Sequence, residues 1–304
     1  MFPTFIIAGV AKAGTTSLWE YLNIHPQIRM APLKEPGFFT NAKGCGNRPD
    51  PRSPRFSGRY AKGLTWYESL FRECNGAKAV GEASVMYMPE PDAPGLIKKH
   101  LPDVQLLFLL RDPVERIYSH YWQEKRHGWD LPDFADMVHH RHPTLLRYIY
   151  VSSYQLHLER YLATFSRAQI TVLLYDDLRS NPREFIRQVY QALGVEAKFI
   201  PPNLRIRYNQ ANLPRSPLFN RFARYRATHE WKISQHDRLF KAIRPFGRFL
   251  ADITSTNDTI TPLPTEIRAM LVAEMEPAIA YTEHLLERDL SLWRMVAAAP
   301  EYWN

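Results

Sequence analysis

Cysteine is almost missing from this sequence. Only Cys45 and Cys74 stand among its 304 residues, which excludes a disulfide framework and leaves a Cys45–Cys74 bridge as the one pairing open to it. Long apolar runs are missing as well. The first run, Phe5-Ile6-Ile7-Ala8-Gly9-Val10, follows Met1-Phe2-Pro3-Thr4 directly. It is far too short to span a bilayer, and no basic leader or cleavage site accompanies it. It reads as a buried first strand, and a soluble, cytoplasmic protein is expected. No repeat of fixed period and no long low-complexity tract is visible. Acidic residues are the minority, 31 against 39 Lys and Arg, for a net charge of +8. That balance suits an anionic ligand or partner. No nucleic-acid-binding module is recognisable, and the positive charge is spread among aromatics, so a nucleic-acid partner is not expected.

What is present is a core and a rhythm. Hydrophobic residues make up 45% of the chain, and 7 Trp, 16 Tyr and 16 Phe make ring-lined clefts feasible. Strand-length apolar runs at 5–10, 78–81, 105–110 and 170–175 alternate with helix-like segments at 16–23, 66–72, 113–125, 145–165, 182–193 and 265–286. Such alternation predicts an α/β fold, a parallel sheet flanked by helices. The strand signal fades after about residue 200, so the chain reads as one domain over 1–304, with an α/β core over 4–195 and a helical C-terminal part. Two helix starts are well marked. Thr65-Trp66-Tyr67-Glu68 has the form of a capping box, and Asp112-Pro113-Val114-Glu115 combines an N-cap Asp with Pro at the first helical position. Residues 44–59, rich in Gly, Pro, Ser and Arg, read as a surface loop.

The first strand runs into Gly9-Val10-Ala11-Lys12-Ala13-Gly14-Thr15-Thr16-Ser17 and then a helix. Two glycines five apart let the backbone curl so that successive amides face one anion. The helix start adds about half a positive charge there. The alternative is a glycine-containing turn that merely precedes a helix. A nucleoside-triphosphate P-loop would carry Lys directly after the second Gly, where Thr15 stands instead. A second anion site is suggested by Arg111 at the end of the third long run. Ser119 lies seven residues after Asp112, a rotation of about 700°, so it returns to nearly the same helix face about 10 Å further on. Taken singly, Arg111 reads as well as an ion pair, and Ser119 as a hydroxyl bonding back to its own helix.

Val80-Gly81-Glu82-Ala83-Ser84 places a carboxylate at the end of a short apolar strand. Glu82 is a candidate general base, or else an ion pair anchoring the strand. His100, at a helix end, and His120, inside a helix, are competing bases in which capping or packing is the ordinary role. His139, His140 and His142 lie near Asp133 and Asp136, but Pro143 and the absence of helical ligand spacing point to a solvated loop, and no metal is expected. Arg205, Arg207, Arg215, Arg221, Arg224 and Arg226 span a stretch without an acid, either a solvated face or a lid over an anion. A kinase of P-loop type, with Asp112 on magnesium and Glu82 as base, is the rival reading. The missing P-loop lysine and the capping geometry imposed by Pro113 count against it.

The segment Lys12-Ala13-Gly14-Thr15-Thr16 resembles the 5′-phosphosulfate loop of the 3′-phosphoadenosine 5′-phosphosulfate (PAPS)-dependent sulfotransferases, closest to the glycan (heparan-sulfate-type) and related bacterial branches. The run from Arg111 to Tyr121 resembles that family's 3′-phosphate motif. Lys34-Glu35-Pro36-Gly37-Phe38-Phe39, Tyr175-Asp176-Asp177-Leu178, Asn181-Pro182 and Leu193-Gly194 match further segments of it. The resemblance implies a P-loop-like fold and PAPS as sulfuryl donor, without a metal. It implies that Lys12, Ala13, Gly14, Thr15, Thr16 and Ser17 hold the phosphosulfate, with Lys12 stabilising the leaving group. Arg111 and Ser119 would take the 3′-phosphate, and Glu82, with Tyr87 downstream, would be the general base. The basic loop that seals the cofactor in other branches is missing here, and Arg215-Ser216 is the nearest stand-in. The acceptor implied is a hydroxyl on a carbohydrate or a polar small molecule.

Overall fold

The computed structural model describes residues 1–40, 59–127, 129–204, 206, 213–214, 255–256 and 261–296. Five strands, β1 (Phe5–Gly9), β2 (Ile28–Met30), β3 (Ala79–Ala83), β4 (Gln105–Leu110) and β5 (Ile170–Leu174), form one sheet in the order β2-β3-β1-β4-β5. Every neighbouring pair in it is parallel. β1 and β3 are buried at all five positions each, which is why they read as continuous apolar runs rather than alternating ones. β2 has three residues with its middle one, Arg29, exposed. A strand that short leaves no apolar run to detect.

Helices cover the sheet: α1 (Thr15–Ile24), α2 (Gly63–Ser69), α3 (Ala93–His100), α4 (Pro113–Arg126), α5 (Phe134–His139), α6 (Pro143–Ser152), α7 (Tyr154–Leu162), α8 (Tyr175–Ser180), α9 (Pro182–Ala192) and α10 (Thr265–Leu286). The chain leaves β1 towards β2 on one side and leaves β4 towards β5 on the other. The carboxyl ends of β1 and β4 therefore flank a topological switch point, where open α/β sheets form a crevice.

Three local expectations change. The predicted capping box at Thr65 does not form, because α2 starts earlier, at Gly63, with no side-chain cap. The single helix expected over 145–165 is two. It breaks at Ser153 (ψ 70°), where Ser153 bonds back to the Ile149 carbonyl and Ser152 turns inward to meet Arg116 and the Pro113 carbonyl. Serine hydroxyls that bond to backbone compete with helix continuation in this way. The solvated loop expected around His139–His142 shrinks to a short turn over 140–142 between two capped helices: His139 ends α5, Asp133 caps α5, and His142 caps α6 through the Thr144 amide. Past residue 200, Leu213–Pro214 pairs antiparallel with Ser255–Thr256. Among the described residues, no helix is long and apolar enough to cross a membrane, and Cys74 is a buried thiol; Cys45 and the loop expected over 44–59, up to residue 58, lie outside the described residues.

The start of α4 behaves as its sequence requires. Asp112 accepts from the Val114 and Glu115 amides at 2.9 and 3.2 Å. Its other oxygen holds Arg268 of α10 at 2.7 Å, and Arg268 also reaches Glu115 at 3.1 Å. α10 buries Ile267, Leu271, Met275, Ala278 and Ile279 and packs on α4, α6 and α7, so this helix closes the core instead of trailing from it. Arg268→Met leaves Asp112 and Glu115 buried without their shared cation. The expected cost is about 3–5 kcal/mol, read as a drop in the denaturant midpoint, with Arg268→Lys restoring part of it.

Candidate active site

The loop after β1 is built from two different glycine requirements. At Gly9 the need is space, since a Cβ there would lie 2.6 Å from the Cβ of Met88. At Gly14, the N-cap of α1, the need is conformation, with φ at +89°. Lys12 also has positive φ, +76°, an uncommon state for a residue with a side chain and one concentrated at functional sites. Ala13 is buried in the loop, and Thr15, Thr16 and Ser17 form the first turn of α1. The positive end of the helix dipole thus opens into the loop.

Arg111 follows β4 and lies across the switch point from this loop. Its guanidinium donates to the Lys12 carbonyl at 3.3 Å, meets Glu115 at 3.4 Å and sits 5.0 Å from the ring centre of Tyr175. Its own carbonyl accepts from Tyr154 at 2.7 Å. The ion pair expected of a lone arginine is present but long, and the contact with the loop accompanies it. Ser119 lies two turns into α4 and is half-buried. Burial, then the charges of Arg126, Arg111 and Arg116, lower the pKa of Lys12 to about 7. Three arginine charges beside a buried lysine are the electrostatics of a site that accepts an anion.

Glu82 sits at the fourth position of β3, opposite Ile6 of β1. It has no solvent exposure. Tyr67 and Tyr87 each donate to its Oε1 at 2.8 Å, and Ser84 donates to Oε2 at 2.6 Å. Burial pushes its pKa up to about 7 against the opposing pull of these three bonds. A base must reach the proton it removes, and this carboxylate has no exposed surface. Glu82, expected as the general base, thus lies behind Tyr67, Tyr87 and Ser84 instead of at the surface.

Glu35, quoted above only as part of a matching segment, is the open carboxylate of the same corner. Its backbone is held at φ +59°, its amide donates to the Ala83 carbonyl at 2.8 Å, and its side chain is 21% exposed. Oε2 accepts from the Val85 amide at 2.9 Å and Oε1 from Lys34 at 2.8 Å. Ser84 and Met88, from the segment that carries Val85, donate to the Ile7 and Ala8 carbonyls of β1, so Glu35 lies beside the end of the strand that starts the phosphate loop. The signal was an acid beside a Pro-Gly pair, and no periodicity argument singles that out.

The remaining candidates have structural partners. His100 ends α3 and bonds to the Tyr60 hydroxyl at 2.8 Å. His120 stacks on Tyr148 and meets Arg116, and burial with the nearby charges of Arg116 and Arg147 holds its pKa well below the usual range. Among the described residues, no group of His, Cys, Asp or Glu could hold a metal ion. Asp112, the magnesium ligand of the kinase reading, already has both oxygens engaged, by the α4 amides and by Arg268. Arg205, Arg207, Arg215, Arg221, Arg224 and Arg226 lie outside the described residues.

A parallel sheet with a glycine loop at its switch point defines an α/β protein of P-loop-like fold, and comparison with known proteins narrows the class. A family model described as "Sulfotransferase family" matches residues 3–199, and the chain belongs to that family. Mouse heparan sulfate glucosamine 3-O-sulfotransferase 3B1 is 30% identical over 199 residues, covering 64% of this chain and 46% of that protein. Mouse bifunctional heparan sulfate N-deacetylase/N-sulfotransferase 4 is 29% identical over 206 residues, covering 64% of this chain and 22% of its own length. The chain thus spans less than half the length of these curated relatives. The crystal structure of a sulfotransferase from Alicyclobacillus acidocaldarius matches with a TM-score of 0.68 at 27% identity, covering 97% of this chain and all of that one.

The depressed Lys12 makes anion binding pH-dependent. A bound anion favours the ammonium, so its pKa rises on binding and a proton is taken up when the free protein has lost it. Affinity for a phosphate anion bound in the loop, with inorganic pyrophosphate as the probe, should be complete below about 7 and fall by up to about tenfold per pH unit above it. Calorimetry across that range in buffers of different ionisation enthalpy measures both the fall and the proton uptake, and Lys12→Met should abolish both.

Proposed function

We propose that this protein transfers a sulfuryl group from PAPS to a hydroxyl of a carbohydrate or polar small molecule. The observation that carries the reading is the pairing of Lys12 and Arg111 across one switch point, in a member of the sulfotransferase family. The donor set fits a doubly phosphorylated nucleotide: loop amides, a helix start and hydroxyls at one anion position, and an arginine at the next. Ala13, Gly14, Thr15, Thr16 and Ser17 would hold the 5′-phosphosulfate, and Arg111 with Ser119 the 3′-phosphate. PAPS, when bound, supplies an activated sulfuryl group with a phosphate as leaving group.

The chain's own residues do the rest. The Lys12 ammonium, buried among arginines, is the cation available to a departing phosphate, and it acts most strongly where charge develops in a shielded site. Glu35, the partly exposed carboxylate beside β3, takes the proton of the acceptor hydroxyl. The names of the similar proteins favour a sugar acceptor, and the excess of basic charge suits an anionic one. The kinase reading lacks both the P-loop lysine and an open magnesium ligand.

Binding tests the cofactor directly. The nucleotide 3′-phosphoadenosine 5′-phosphate (PAP) should bind much more tightly than adenosine 5′-monophosphate, and Arg111→Ala should weaken PAP by about ten- to a hundredfold, the worth of one charge-assisted hydrogen bond. Equal affinities for the two nucleotides would overturn the assignment. For the base, Glu35→Gln keeps the shape and removes the basic lone pair. Turnover of PAPS with a glucosamine-bearing oligosaccharide should drop about a hundred- to ten-thousandfold while PAP affinity holds.

A further inference from the structure

Glu82 is fully buried and charged groups are rarely buried without a purpose that their partners reveal. Its three partners differ in what they do next. A hydroxyl has one proton to give, and Ser84, Tyr67 and Tyr87 all give theirs to Glu82. Their oxygens are then oriented as acceptors. Ser84 Oγ accepts from the Gly37 amide at 2.9 Å, and the Tyr87 hydroxyl accepts from the Phe38 and Phe39 amides at 2.8 and 3.3 Å. Three consecutive backbone amides of the segment following Glu35 therefore end on Glu82 through a single intervening hydroxyl. Tyr67 makes the same bond to Oε1 and carries none of these amides.

That segment needs fixing. Glu35 and Gly37 both have positive φ, +59° and +57°. A left-handed conformation at a residue with a side chain persists only where its surroundings over-determine it. The near side of the segment is held by the Ala83 carbonyl on the Glu35 amide and by Arg59 on the Glu35 and Pro36 carbonyls. The far side has the Ser84–Tyr87 pair, and Thr40 closing on the Gly37 carbonyl. An ionised carboxylate accepts from several donors without offering a proton of its own, so it fixes the direction of every hydroxyl around it. Neither an amide nor a carboxylic acid does this for all three.

We infer that Glu82 is a positioning residue: through Ser84 and Tyr87 it fixes the backbone of residues 37–39 and so sets the Glu35 carboxylate towards the acceptor. The inference rests on the reading of Glu35 as the base. It differs from a base role for Glu82 in what the two tyrosines should do. If Glu82 itself removed the proton, losing either tyrosine would change kcat alike, since each donates one 2.8 Å bond to the same oxygen.

The test compares Tyr87→Phe, Tyr67→Phe and Glu35→Gln in the full chain bound to PAP. Amide hydrogen exchange is followed at residues 37–39, and turnover is measured with PAPS and a glucosamine-bearing oligosaccharide. Tyr87→Phe should accelerate exchange at Phe38 and Phe39 and lower kcat about tenfold or more, with KM for PAPS and PAP affinity little changed. Tyr67→Phe should change exchange there and kcat by no more than about twofold. Ser84→Ala, which frees only the Gly37 amide, should fall between them and serves if Tyr87→Phe folds poorly. Equal exchange in the two tyrosine variants would overturn the network. Faster exchange with equal kcat would overturn the positioning role. Glu35→Gln separates the two readings: if it turns over normally, the base assignment fails, whereas a dead Glu35→Gln beside equivalent tyrosine variants removes only the inference about Glu82.

Discussion

Asp112 has two carboxylate oxygens, and the arrangement around the end of β4 depends on how it divides them. One oxygen takes the first amides of α4, which fixes where the helix begins and leaves Arg111 as the residue between strand and helix. The other takes Arg268, which brings α10 against α4 and shares Glu115 with Arg111. Buried charge groups of this kind are costly unless every partner is in place. Their value here is that one geometry satisfies all of them. Arg111 is then held on three sides, by Glu115, by the Tyr175 ring and by the Lys12 carbonyl.

The sheet also sorts charge. Lys12 and Arg111 stand at the ends of β1 and β4, while Glu82 and Glu35 belong to β3 and its edge, one strand over. Adjacent strands are separated by about 4.8 Å, close enough to serve one reacting centre. The carboxylates are nevertheless occupied elsewhere, Glu82 by hydroxyls and Glu35 by the Val85 amide and Lys34. Neither therefore neutralises Lys12, whose field is set by burial and three arginines. The Lys12 loop and the two carboxylates sit on neighbouring strand ends without pairing, because each carboxylate is bonded within its own corner.

Much of this was legible in the chain itself. β1, β3 and β4 show as apolar runs because both faces of a parallel sheet are covered. The α4 start shows because Asp-Pro dictates its cap locally. The phosphate loop shows because a glycine with positive φ before a helix has a fixed position, and Gly14 occupies it. Signals of this type depend on neighbours in sequence. β2 was silent because three residues make no pattern, and the break at Ser153 was silent because Ser152 is drawn inward by Arg116, 36 residues away.

The division is sharpest at the two glutamates. The sequence alone determined that an acid would end β3 and that a Tyr would follow it. It could not weigh Glu82 against Glu35, because the difference is one of exposure and partners. Tyr67 reaches Glu82 from α2, 15 residues upstream, and the amides of 37–39 reach it through Tyr87 from nearly 50 residues away. Only the packed structure decides which carboxylate is enclosed by hydroxyls and which stays partly exposed. Burial and hydrogen-bond satisfaction belong to the assembled fold, whereas the position of a loop glycine or a helix cap is set within a few residues of the chain.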